Sequence, residues 1–163
     1  AEELLVVSGG VSVGKYDLVK EVLRTLGAEI YFDAVAIRPG RPTVFARCGE
    51  KFVFGLPGNP ASTIVTFELF VAPAIQLLAG GRAEPLRLLK AKLTQPVRTI
   101  SGLTGFLPAR LEGAADGVTV QAVPWQGAGD VVALTQSNCF LVVPGTAAEL
   151  TAGSWVNVLL RQG

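Results

Sequence analysis

The sequence predicts an α/β fold followed by a small β-rich domain, and three observations carry that reading. An apolar run at residues 4–8 feeds a glycine-punctuated loop and then an amphipathic helix pattern, the strand–loop–helix order of an α/β layer. A second loop of the same kind, Gly55-Leu56-Pro57-Gly58-Asn59-Pro60, opens a long apolar helix reaching Ala79. Beyond Gly80-Gly81-Arg82-Ala83-Glu84-Pro85 the pattern changes to short strands separated by frequent turn signals. The chain therefore divides into residues 1–80, a linker at 81–85 and residues 86–163.

Taken in order, residues 4–8 lack polar alternation, as a strand of a parallel sheet does. After the loop, Leu18, Val22, Leu23 and Leu26 form an apolar helical stripe that ends at Gly27, with Asp17 in the N-cap position and Glu21 near the first turn. Residues 28–37 return as a strand, and the prolines of Arg38-Pro39-Gly40-Arg41-Pro42 end it. A hairpin follows, with arms at 43–47 and 52–56. Asn59 can cap the next helix with Pro60 as its first residue. That helix is apolar on most sides, so it should be packed on both faces, and Pro73 should kink it. In the second part, strands are expected at 86–93, 105–111, 118–123, 140–143 and 155–160, with one helical turn at 130–136.

The composition bounds the chemistry. Half of the 163 residues are hydrophobic and 17% are charged, which supplies a core and argues against disorder. The net charge of +1 gives no global attraction to nucleic acid or to a membrane. Short, interrupted apolar runs predict neither a membrane span nor a secretory signal, so the cytoplasm is the default compartment. The absence of histidine removes imidazole catalysis and histidine-ligated metals, leaving acid–base work to carboxylates. Cys48 and Cys139 lie outside any metal-ligand spacing and read as inert thiols. With no methionine, and Ala1-Glu2-Glu3 directly before a strand, the chain reads as a piece of a longer protein.

Candidate binding residues cluster in the loops. Ser8-Gly9-Gly10-Val11-Ser12-Val13-Gly14 offers amides and hydroxyls at a helix N-terminus, which suits an anion such as phosphate. Ser62, in the first turn of the second helix, makes another such place. Each has a plainer alternative: Asp17 as a helix cap, Arg38 and Arg41 as solvated turn residues, Ser62 as an ordinary first-turn serine. Trp125 and Trp155 are expected in the core.

The order and spacing of the glycine loop with Asp17, of Arg38-Pro39-Gly40-Arg41-Pro42 and of Gly55-Leu56-Pro57-Gly58-Asn59-Pro60-Ala61-Ser62 resemble the molybdopterin molybdenumtransferases, the MoeA and gephyrin E-domain family. Gly127-Ala128-Gly129-Asp130 and Val142-Val143-Pro144 resemble that family's C-terminal domain. The resemblance implies a C-terminal fragment: part of a three-layer molybdopterin-binding (MogA-like) domain, then a small β-barrel-like domain. It further implies insertion of molybdate into adenylylated molybdopterin with release of AMP and dependence on Mg²⁺. The partners it implies are these small molecules, a second subunit of a homodimer and N-terminal domains of the parent chain.

Residue by residue, the resemblance gives Asp17 a catalytic and Mg²⁺-holding role and makes Arg41 catalytic. Ser8, Gly9, Gly10, Ser12, Gly14, Pro57, Gly58 and Asn59 would bind pterin, phosphate or AMP. Arg38, Arg41 and Ser62 would bind molybdate, a tetrahedral dianion that two arginines on a proline-stiffened turn can grip with charge-assisted bonds. The family commonly has lysine at both arginine positions. The second domain departs further: Leu103 and Pro108 stand where the family usually has arginines, and Val132 and Ala133 where it often has serines. Arg110 shares a strand face with Phe106 and Pro108, about 6.6 Å along, and is a further candidate for the missing charge. Pro108 should force a bulge or an edge position. A non-catalytic paralogue or an assembly scaffold of the same fold is the alternative reading.

Without its opening strands the first domain should show an open sheet edge and an uncovered apolar face, a surface that finds a partner. The chain alone is therefore expected to self-associate in sedimentation experiments; a strict monomer that melts cooperatively would count against this.

Overall fold

The computed structural model describes residues 2–12, 18–82, 84–86, 88–98, 102–114, 117–146 and 149–161. It divides into two compact units, Ala1–Val35 with Gly40–Glu84 and Ala36–Pro39 with Pro85–Gly163.

The first unit is built on a four-stranded sheet of β1 (Leu4–Ser8), β2 (Glu29–Phe32), β4 (Val44–Cys48) and β5 (Lys51–Leu56), in the order β1-β5-β4-β2. β1 runs parallel to β5, and the other pairs are antiparallel. Alternation along the hairpin sends Val44, Ala46 and Val53 to one face, where they pack with Val11 and with Leu23 of α1 (Val19–Thr25). Phe54 and Leu56 go to the other face with Phe45, and meet Val71, Phe70 and Ala74 of the long helix. Helix, sheet and helix make the three layers. That second face is aromatic: Phe45 stacks on Phe54 at 4.5 Å and lies 5.9 Å from Phe52.

The long helix is α2 (Pro60–Thr66), a π-helical turn over Phe67–Val71 and α3 (Ala72–Leu78). Pro73 accounts for the π turn, because its ring and missing N–H are incompatible with a regular bond to the carbonyl four residues back. The amide of Ala72 instead reaches the carbonyl of Phe67. At 19 residues the helix is long and apolar enough to cross a membrane by length and composition, a property that core helices share. Here Ala61, Val65, Thr66, Val71 and Ala72 are buried.

Three expectations for this unit need correction. Residues 28–37 are not one strand: β2 ends at Phe32, and β3 (Ile37–Arg38) pairs in the other unit. Of the α1 stripe only Leu23 is buried; Leu18, Val22 and Leu26 are exposed, since none of the packed clusters reaches that side of the helix. The long helix is covered on one side only, with Phe67, Ile75, Leu77 and Leu78 exposed. β1 is at the sheet edge, with Leu5 and Val6 exposed.

The second unit closes β6 (Leu88–Leu93), β8 (Thr104–Ala114), β9 (Gly117–Ala122), β10 (Cys139–Val143) and β12 (Trp155–Leu160) into a five-stranded barrel, in the order β10-β12-β6-β9-β8 and back to β10. β3 adds to β8 in parallel, while β7 (Val97–Arg98) and β11 (Glu149–Leu150) form a separate ribbon. Ala91, Leu93, Ala109, Val120, Leu141, Val143 and Val158 fill the interior. Trp155 contradicts the core expectation at 64% exposed, because inward-facing Val156 turns its neighbour outward.

Pro108 forms no bulge: its register with Phe140 is unbroken. Its carbonyl accepts the amide of Val123 at 2.9 Å, so its nitrogen faces the same edge, one residue past the last β9 partner at Ala109. A missing donor costs no ladder bond there. Asp130 caps α4 (Val131–Gln136), accepting from the amides of Ala133 and Gln126 at 3.0 Å each, and these bonds hold its carboxyl below the usual range. Arg161 donates to the carbonyls of Leu134 and Ser137 at the other end of α4.

Cys139 is fully buried on β10 and donates to the carbonyl of Ala109 at 3.2 Å; burial pushes its thiol up to about 11. Native protein at pH 8 should be modified by a thiol reagent at Cys48 and spared at Cys139 until it is unfolded. Because the folded pKa is raised, the stability this buried thiol contributes is fully present below its unfolded value and is lost as pH rises towards 11. Equal labelling of both cysteines at pH 8 would contradict this packing.

Candidate functional site

Register places the loops of the first unit at one edge of its sheet. The last residue of β1 pairs with the last of β5, Ser8 with Leu56, so the two strands end side by side. Their continuations, 9–12 and 57–59, leave at the carboxyl ends of parallel strands, where open α/β sheets bind ligands. β4 is antiparallel to β5 and begins at the same edge, with Val44 opposite Gly55. Arg41, three residues earlier, therefore enters from that edge as well.

The two loops touch. The amide of Gly9 donates to the carbonyl of Leu56 at 2.8 Å, and a Cβ on Gly58 would meet the Cα of Gly9 at 3.3 Å. Gly9 and Gly10 have φ of +93° and +70°, a region that side chains rarely adopt. Gly10 accepts the amide of Val19 at 3.1 Å, which ties the start of α1 to the loop. The Gly9 amide and the Gly10 carbonyl are thus engaged within the protein. The Ser8 and Ser12 side chains of this loop are exposed. Val11 anchors the loop: it is 1% exposed, and a Cβ on Gly55 would lie 2.6 Å from its Cγ1.

The α2 N-terminus begins at the same edge. Pro57 and Ser62 are buried, whereas Gly58 and Asn59 are exposed. Asn59 makes no side-chain cap bond; its carbonyl accepts the amide of Thr63 at 2.9 Å. The first turn is fixed instead by Thr63, whose hydroxyl is within hydrogen-bond distance of the Pro57 carbonyl (2.5 Å) and the Asn59 carbonyl (3.1 Å). Sequence reasoning passed over Thr63; the hydroxyl four residues after Asn59, in reach of an earlier helical carbonyl, was the available signal.

Arg41 is exposed on a turn held by main-chain bonds: its carbonyl accepts from Val35 and Thr43 at 2.9 Å each, and the buried Thr43 hydroxyl donates to Gly40 at 2.6 Å. Arg38 falls in the other unit, opposite Gly105 of β8. Among the described residues no carboxylate pairs with either guanidinium. Asp17 and Gly14 lie outside the described residues. Among the described residues no group of three acidic, cysteine or histidine side chains could hold a metal.

In the second unit Arg110 is exposed and its Nε donates to Glu112 at 3.0 Å. The two line a cavity of about 330 Å³ of mixed polarity, with Thr119, Gln121, Gln136 and Val123. Leu103 is half-buried, Pro108 and Ala133 are buried, and Val132 is 65% exposed.

Comparison with known proteins gives two family matches. Residues 1–77 match the family described as "Probable molybdopterin binding domain" and residues 90–160 match "MoeA C-terminal region (domain IV)". The chain is 34% identical over 160 residues to molybdopterin molybdenumtransferases of Staphylococcus aureus strain Mu50 and Staphylococcus epidermidis strain ATCC 12228. These alignments cover 98% of the chain but 38% of each relative. The crystal structure of a molybdopterin biosynthesis MoeA protein from Pyrococcus horikosii superposes with a TM-score of 0.80 at 32% identity, over 99% of this chain and 38% of that one.

Gly55→Ala tests the coupling of the glycine loop to the sheet. Its methyl would collide with Val11 and crowd Val44, so a loss of about 1–3 kcal/mol is expected in denaturant unfolding. Adding Val11→Ala should recover part of that loss, giving a favourable coupling between the two changes; strictly additive effects would mean that Val11 does not fill this space.

Proposed function

The chain belongs to the MoeA family, carrying its molybdopterin-binding and C-terminal regions, and from that premise we propose that it serves molybdenum-cofactor biosynthesis as a molybdopterin molybdenumtransferase. The reaction proposed is insertion of molybdate into adenylylated molybdopterin with release of AMP. The observation that carries the reading is the contact of the Gly9 and Gly58 loops at one sheet edge, beside the N-terminus of α2 and the entry of Arg41.

On this reading Ser8, Gly9, Gly10, Ser12, Gly14, Pro57, Gly58 and Asn59 form the seat for the pterin, phosphate and AMP parts of the substrate. Amides of the first loop and the start of α2 offset phosphate charge without proton transfer. Arg41, which pairs with no carboxylate among the described residues, attracts molybdate, with Arg38 and Ser62 as further contacts. A guanidinium offers a planar fork of donors and no acceptor, which orients an oxyanion. Mg²⁺ would be held by Asp17 and substrate phosphates, an arrangement that needs few protein carboxylates; when bound it neutralises phosphate charge. The functional division proposed is 1–80, a linker at 81–85, and 86–163. A homodimer, further N-terminal domains and a cytoplasmic location, where Cys48 and Cys139 stay free thiols, complete the proposal.

A non-catalytic paralogue or assembly scaffold is the second reading. Its support is the second unit: Leu103, Pro108, Val132 and Ala133 replace charged or hydroxyl side chains of the resembling family, and Glu112 already engages Arg110.

AMP release from adenylylated molybdopterin, followed with and without molybdate in the full-length protein, separates the two. Molybdate-dependent release should be abolished by Arg41→Ala, largely kept by Arg41→Lys, and require higher Mg²⁺ in Asp17→Asn. Release that is absent, or indifferent to molybdate, would favour the scaffold.

A further inference from the structure

We propose that Thr63 is a positioning residue for the substrate seat, acting through the carbonyl of Pro57; this rests on the transferase reading above. Pro57 is buried, and no other described donor reaches its carbonyl, so the Thr63 hydroxyl satisfies a group that would otherwise be costly to bury. The same hydroxyl also lies 3.1 Å from the carbonyl of Asn59. One hydroxyl in the first turn of the helix thereby lies within reach of the carbonyls at both ends of the Pro57-Gly58-Asn59 segment.

The consequence passes to the glycine loop. Gly58 has the Cα of Gly9 within 3.3 Å of where its own side chain would begin, and Gly9 is bonded to Leu56, the residue before Pro57. The Pro57–Gly58 backbone thus runs directly against Gly9. Thr63 therefore acts on the substrate seat through the backbone of Pro57 and the Gly58–Gly9 approach. Thr66 repeats the device one turn on, its hydroxyl donating to the carbonyl of Ser62 at 2.8 Å and so fixing the turn that carries Ser62.

Thr63→Val keeps the shape and removes the donor; Thr63→Ser keeps the donor and removes the methyl. Titration with adenylylated molybdopterin, well below the melting temperature of every variant, should give binding on the order of tenfold weaker for Thr63→Val, with Thr63→Ser restored to near wild type. Amide hydrogen exchange should rise at Gly58, Asn59 and Gly9 in Thr63→Val while the β5 ladder stays protected, a pattern that general destabilisation would not give. Wild-type affinity in Thr63→Val, or a failure of Thr63→Ser to restore binding, overturns the assignment. Absence of binding in the wild type itself overturns the transferase reading, and the positioning role falls with it.

Discussion

Parallel pairing of β1 with β5 is the constraint from which the first unit's arrangement follows. Two strands that end in the same register deliver their loops to one place, and the bond from Gly9 to Leu56 continues the ladder one residue beyond the sheet. Glycine at 9 and 58 lets two backbones approach where side chains would keep them apart. Glycine at 55 opens the sheet surface to Val11, which pins the loop from below. The loops are consequently part of the packed core on one side and open to solvent on the other. This is how a fold can hold amides in place for an anion without first ordering a floppy segment.

The barrel solves a different problem. Its closure leaves none of the five strands with a free edge, and the one proline inside a strand falls just past the end of a neighbouring ladder. α4 is fixed at both ends by charge, Asp130 at the start and Arg161 at the finish. The turn carrying Gly127 to Asp130 is thus committed to holding this short helix, whatever else it does.

Much of this was legible in the sequence because the signals were local. The glycine loop, the hairpin at 43–56, the Asn59-Pro60 helix start, the barrel strands and the Asp130 turn all announce themselves through φ requirements and period-two alternation. What was not legible depended on neighbours distant in sequence. Leu18, Val22 and Leu26 have the spacing of a buried stripe, yet exposure depends on whether another element lies against them. Trp155 is apolar by composition and outward by parity alone. Ile37 continues the apolar run of residues 34–36, and only the pairing of Ile37 and Arg38 with Thr104 and Gly105 explains why they leave the first sheet. In the site, residue types suggested which groups bind anions, but only register brought Gly9 against Gly58, and only atomic positions singled out Thr63.

The short strand β3 makes the two units inseparable as stretches of gene. The polypeptide enters the second unit at Ala36, leaves it after Pro39, completes the first unit and returns at Pro85. No single breakpoint separates them: a cut at residue 85 would leave Ile37 and Arg38 behind and strip β8 of a partner at Thr104 and Gly105. A barrel of this kind is therefore not free to be shuffled by simple end-to-end fusion. The turn Arg38-Pro39-Gly40-Arg41 is where the chain crosses back, so that Arg38 belongs to one unit and Arg41 to the other.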